Sequence, residues 1–154
     1  MNQTPAGITK LLHSNIEIAT QIYHVFQVSY QVEADLVGTN NFPPLKRSVQ
    51  DIIRSDTDFY GYLSEGVLSA VVELELKESH LHICSLVVHP DYFRRGIGRQ
   101  LVYFALDSMN PETATVETAS VNEPAISLYK RAGFSEERKY MTEVGIEKIR
   151  LFKG

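Results

Sequence analysis

Between the apolar run Leu86-Val87-Val88 and a helix-like stretch from Gln100 to Leu106 lies His89-Pro90-Asp91-Tyr92-Phe93-Arg94-Arg95-Gly96-Ile97-Gly98-Arg99. Two glycines and three arginines fall in its last six residues. Glycine lets backbone amides come close to a ligand, and the first amides of a helix are unpaired and lie at the positive end of its dipole. The chemistry this spacing supports is the grip of a phosphate by main-chain N–H groups. Arg94, Arg95 and Arg99 add positive charge, although arginines at a helix start often do no more than meet solvent. No Gly-Lys-Ser/Thr occurs, which excludes a Walker loop. Leu101 stands where a dinucleotide fingerprint needs a third Gly or Ala, which excludes that as well.

A second group of residues could move protons. If Glu78-Ser79 is a hairpin turn, Lys77 faces His80, Leu76 faces Leu81, Glu75 faces His82, Leu74 faces Ile83 and Glu73 faces Cys84. That register puts Glu73, Glu75, His80, His82 and Cys84 on one face. His82 then reads as a base oriented by Glu75, with Glu73 as the alternative, acting directly or through water. A His and Glu paired across a solvated sheet face would look the same and need no function. His80 and His82 lack a third ligand, so no metal is expected. Cys84 reads as a small apolar residue rather than a nucleophile.

The elements that must carry these groups follow from periodicity. A short strand at Gly7 to Leu12 precedes a Ser14/Glu17 capping box and a helix with Ile16, Ala19, Tyr23, Phe26 and Tyr30 on one face. The helix gives way near Gln31 to a segment of turn formers, Gly38 to Pro44, and Leu45 to Arg54 reads as a second, shorter helix. Strands are expected at Phe59 to Leu63, Val67 to Lys77, from His80 to Val88, and at Thr113 to Ala119. Asn122 caps a helix with Glu123 and Pro124 in its first turn, which runs through Tyr129 and stops at Gly133 with Phe134 just beyond. Phe134 to Met141 and Ile146 to Phe152 complete the chain as strands.

The order strand, His-Pro, Arg-Arg-Gly-Ile-Gly, apolar helix resembles the acyl-CoA loop of the GNAT family of N-acetyltransferases. Asn122, Ala125, Tyr129 and Gly133-Phe134 resemble that family's second signature. Phe93 stands where the family usually has Arg or Gln, and His82 where a Glu is commoner. The resemblance implies one domain over residues 1–154 of the α/β (α+β) class: a mixed, mostly antiparallel, strongly twisted sheet with helices on both faces, in the order β-α-α-β-β-β-α-β-α-β-β. It implies acetyl-CoA as co-substrate and direct transfer to a primary amine of a small molecule or peptide. Leu86, Val87 and Val88, splayed from the strand at Thr115 to Ala119, would meet the pantetheine arm, and Arg94, Arg95, Gly96, Ile97, Gly98 and Arg99 the diphosphate. Asn122 would bond the pantetheine, and Tyr129 would give a proton to the sulfur. Tyr30, Glu33, Asp35 and Phe42, in the variable lid, would meet the acceptor. Tyr129 also reads simply as a helix residue with its ring in the core. A non-catalytic acyl-CoA sensor, or a partner-binding module docking through Phe42-Pro43-Pro44, is the alternative.

Composition bounds these readings. The chain has 154 residues, 44% hydrophobic and 22% charged, enough for one core of ordinary density. A net charge of -4 makes the arginine loop a local patch on an acidic protein and disfavours nucleic acid as a partner. Cys84 is the only cysteine, which excludes a disulfide framework and fits a reducing compartment. No charged-then-apolar leader and no bilayer-length apolar run occurs, so the expectation is a cytoplasmic protein without a membrane partner. The family resemblance is compatible with a homodimer.

Overall fold

The structure, a computed structural model, describes residues 7–154. The reading that the N-terminus carries no leader falls partly on residues 1–6, outside those described. The strands are β1 (Ile8–Leu11), β2 (Asp58–Ser64), β3 (Val67–Lys77), β4 (His80–Val88), β5 (Thr113–Ala119), β6 (Ser135–Met141) and β7 (Glu147–Lys153). The helices are α1 (Ile16–Val37), α2 (Val49–Arg54), α3 (Ile97–Met109) and α4 (Glu123–Arg131). This is the mixed α/β order expected from the sequence. The strands form one sheet, β1-β2-β3-β4-β5-β7-β6, in which β4 and β5 are parallel and all other neighbours antiparallel.

Alternation along the central strands sends side chains to two cores. Val72, Leu74, Leu81 and Ile83 pack with Leu101 of α3 and Tyr129 of α4, while Val71 and Val87 pack with Ile22, Phe26 and Ile52 of α1 and α2. The two helix pairs therefore cover opposite faces, as period-two burial requires. A smaller cluster of Ala34, Phe42, Ala119 and Ile146 ties the C-terminal end of α1 to the end of β5.

Helix α1 differs from its expected form at both ends. Asn15, not Ser14, is the N-cap: its Oδ1 accepts from the amides of Glu17 at 2.9 Å and Ile18 at 3.1 Å. Asn and Ser cap about equally well, so two adjacent candidates are not separated by type alone. The helix also continues past Gln31 to Val37 and ends only at Gly38, whose φ of 82° gives the left-handed cap conformation. Burial of Ala34, 0% exposed, holds this extra stretch against the sheet. The expected second helix is a 3-10 turn, Pro43–Lys46, followed by α2, which opens on a reciprocal Ser48/Asp51 cap.

The β3–β4 hairpin keeps the expected pairs from Lys77/His80 to Leu74/Ile83. A bulge then places Ser85, rather than Cys84, opposite Glu73. One extra residue on β4 lets Ser85 and Val87 join Glu73 on the α1 face, while Cys84 becomes the unpaired residue of the bulge. Among the described residues no helix is long and apolar enough to cross a membrane.

Candidate active site

The parallel pairing of β4 and β5 runs from His80/Thr113 to Ile83/Val116 and stops. Beyond it Ser85 to Val88 pair only with β3, and Glu117 to Ala119 only with β7. The strands part at the bulge, and a cavity of about 420 Å³ opens in the gap. Ser85 and Leu86 line one wall and Thr118 and Ala119 the other. Asn122, the N-cap of α4, and Tyr129 of α4 also line it, together with Tyr30 and Glu33 of α1 and Phe42.

At the mouth of the gap the chain turns into α3. The amides of Tyr92 and Phe93 are taken by the carbonyls of His89 and Pro90, at 2.8 and 3.2 Å. From Arg94 to Arg99 no amide has an intramolecular acceptor among the described residues, and pairing resumes with Gln100 donating to the Gly96 carbonyl at 3.1 Å. Arg94 and Gly96 both sit at positive φ, 63° and 74°, and successive left-handed turns of this kind aim amides outward rather than into a ladder. Ile97, 4% exposed, anchors the turn in the core. The Arg95 and Arg99 guanidinium groups lie over the rings of Tyr92 and Tyr103, at 5.0 and 5.6 Å from the centroids, and Phe93 is 44% exposed. The main chain is thus the part of the loop shaped for an anion.

Tyr129 is 4% exposed, its ring 5.8 Å from that of Phe134. No enclosed side-chain polar atom of the described residues lacks a hydrogen-bond partner, so the Tyr129 hydroxyl, which has none, opens on the cavity it lines. Burial, and then the fields of Tyr30 and Glu33, push its pKa far above the ordinary phenol value. The group is a standing proton donor.

Glu33 faces it. Its carboxylate accepts from Asn122 Nδ2 at 2.9 Å and Thr118 Oγ1 at 3.0 Å, with no cation bonded to it. Asn122 accepts at its other end from the Ala125 amide at 3.4 Å, capping α4. Asp35, two residues and about 200° further round the helix, is exposed and accepts from Gln31 at 2.9 Å. Of the four expected acceptor residues, Tyr30, Glu33 and Phe42 line the cavity and Asp35 does not.

The expected bases lie elsewhere. Glu73, 3% exposed, is held by Arg47 through two bonds of 2.7 and 2.9 Å, by Thr57 at 2.6 Å and by Ser85 at 2.9 Å. Burial alone would raise its pKa; the bonds from Arg47, Thr57 and Ser85 outweigh that and hold it below the ordinary value. With both oxygens filled, Glu73 fixes Arg47, which lines the cavity, but does not line it itself. His82 and Glu75 are opposite each other as the register required. The imidazole Nδ1, however, pairs with Thr115 Oγ1 at 2.8 Å, and Glu75 with Lys77 at 3.5 Å. Desolvation, then the charge of Arg150, lowers the His82 pKa. Neither residue lines the cavity, because at His82 the β4–β5 pairing is still closed.

Sequence reasoning missed Glu117. It lines the cavity and accepts from the Tyr140 hydroxyl at 2.5 Å and from Arg150 at 2.9 Å. Burial works to raise its pKa, but Tyr140 and Arg150 bring it below the ordinary value. Its charge in an alternating strand was visible, but the point of splay that exposes it to the cavity was not. Cys84 also lines the cavity, with its thiol pushed up to about 12 by desolvation and then by the fields of Glu73 and Glu75. It is a thiol, not a thiolate. No cluster suited to a metal ion occurs among the described residues.

A mixed sheet opened where the one parallel pair of its described strands ends, with unpaired helix-start amides past β4 and a buried phenol inside, defines a cleft protein. The chain belongs to the acetyltransferase (GNAT) family, whose pattern it matches over residues 19–134. It is 39% identical over 137 residues to the UPF0157 protein YqkA of Bacillus subtilis, a match covering 88% of this chain and 40% of that one. It is 34% identical over 70 residues to the [ribosomal protein bS18]-alanine N-acetyltransferase of Salmonella typhimurium, covering 44% of this chain and 46% of that one. The matches thus span less than half the length of these relatives. In fold it is similar to the PaiA N-acetyltransferase of Thermoplasma acidophilum solved in complex with coenzyme A, with a TM-score of 0.76 and 19% identity over 95% of this chain and 96% of that one.

Proposed function

We propose that this protein transfers an acetyl group from acetyl-CoA directly to a primary amine of a small molecule or peptide, in the cytoplasm. The observation that carries the reading is the run of unpaired amides from Arg94 to Arg99 at the mouth of the β4–β5 gap. Acetyl-CoA, when bound, supplies the thioester and a diphosphate for those amides to hold. The unpaired edge of β4 at Ser85 to Val88 would accept the pantetheine arm as an extended segment adds to a sheet. An amide of that edge would polarise the acyl carbonyl.

Tyr129 holds a proton facing the cavity and would deliver it to the departing sulfur. An alkylammonium, with a pKa near 10 in the manner of lysine, must lose a proton before it attacks. Glu33 would attract the ammonium and pass that proton to solvent. Glu73 and Arg47 are positioning residues. Asn122 orients Glu33 as well as capping α4. The named activities of the Salmonella relative and the coenzyme A complex of the Thermoplasma structure support the reading.

The test is acetyl-CoA consumption by the purified chain over a panel of polyamines, amino acids, aminoglycosides and peptides, with CoA-induced thermal stabilisation measured alongside. Acceptor-dependent release of CoA is the expected result. Absence of both turnover and a thermal shift would overturn the proposal.

A further inference from the structure

Four charged residues line the cavity: Glu33, Arg47, Glu117 and Lys148. Two of them are already balanced. Arg47 is bonded through both terminal nitrogens to Glu73, and Glu117 is bonded to Arg150, which also holds Glu137 at 3.0 Å. The other two form no salt bridge among the described residues. Glu33 accepts only neutral donors, Thr118 and Asn122. Lys148, half-buried on β7, makes no salt bridge among the described residues, although its charge acts on Glu117: its strand neighbours are Ala119 and Tyr140, and the adjacent Glu147 carboxylate accepts from Ser120 at 2.7 Å. The cavity therefore presents one negative charge on α1 and one positive charge on β7, neither of them salt-bridged among the described residues, with apolar lining at Phe42, Val144 and Ile146.

From these two charges, neither tied into a salt bridge, we infer that the acceptor is a small zwitterion, a free amino acid or close analogue, whose ammonium meets Glu33 and whose carboxylate meets Lys148. The inference rests on the acetyltransferase reading and narrows its acceptor. Glu33 lies at the Tyr129 end, close enough for its field to act on that hydroxyl, which places the amine beside the group that would protonate the leaving sulfur. A polyamine would set a second cation against Lys148. A peptide N-terminus would carry a neutral amide where the cavity offers a cation, and leave a partly desolvated charge unpaired.

The experiment is a set of kcat/KM values with acetyl-CoA for the twenty free amino acids, for the decarboxylated amine and methyl ester of each one accepted, for spermidine, and for a peptide beginning with Ala. Calorimetric CoA binding is measured in parallel. Free amino acids are expected to exceed their decarboxylated and esterified counterparts by about 10- to 100-fold, the size of one charge-assisted contact. Lys148→Ala should erase that preference with CoA affinity unchanged, Lys148→Glu should reverse it, and Lys148→Arg should restore it. Preference for spermidine or the peptide, or a Lys148→Ala variant that keeps the preference, would overturn the zwitterionic acceptor while leaving the acetyltransferase intact. So would CoA binding with none of these compounds acetylated. Failure to bind CoA at all would overturn the acetyltransferase reading itself.

Discussion

Tyr129→Phe is expected to lower kcat by about 100- to 1,000-fold, the range for loss of a positioned general acid, with CoA affinity and melting temperature little changed. The hydroxyl makes no bond in the protein, and the ring keeps its edge contact with Phe134, so removing one oxygen leaves the packing whole. The loss should fall on kcat because the hydroxyl meets only the departing sulfur, an interaction that strengthens in the transition state. The pH profile carries the same information. The Tyr129 pKa is raised by burial, so activity should rise with pH as the amine deprotonates and show no alkaline fall through the ordinary phenol range near 10. An unchanged kcat, or a loss confined to CoA affinity, would remove Tyr129 from the chemistry.

Glu73→Ala is expected to destabilise the fold by about 3–5 kcal/mol, because it strands a partly buried Arg47 rather than deleting a neutral contact. For a chain of this size that corresponds to a fall in Tm on the order of 10 °C. The guanidinium sits over the rings of Phe26 and Phe59, at 5.7 and 5.6 Å, and has no second carboxylate to turn to. Its pH dependence has a definite sign. The folded-state pKa is held below the ordinary 4.5, so this stabilisation is fully present above that value and is lost as pH falls through the folded pKa. Wild type should lose stability on acidification below about pH 4.5, and Glu73→Ala should lose less, having no such carboxylate to protonate. Equal acid sensitivity of the two proteins would contradict this account of Glu73.

The order of elements and the glycine–arginine loop with its unpaired amides were legible because each has a local cause: alternation in the strands, glycines and arginines at a helix start, and Asn122 to Gly133 as a capped and terminated helix. What was not legible depended on one-residue events. The bulge on β4 moves Ser85 opposite Glu73 and ejects Cys84, and no pattern of residue types marks where a strand will take an extra residue. That shift turned Glu73 from a candidate base into the anchor of Arg47. The place where β4 leaves β5 decided the rest, setting His82 on the closed side of the split and Glu117 on the open side. The continuation of α1 to Val37 put Glu33 inside and Asp35 outside, a distinction of angle that a loop assignment could not make.

The account depends on the amides of Arg94 to Arg99 holding the diphosphate of coenzyme A. An amide-resolved NMR titration tests this most directly, with coenzyme A and with pantetheine, which lacks the diphosphate and the 3′-phosphoadenosine. Coenzyme A should move the Arg94–Arg99 amide protons downfield as charge-assisted hydrogen bonds form, and pantetheine should leave them where they were. Saturation with coenzyme A that leaves those resonances in place would contradict the account at its base.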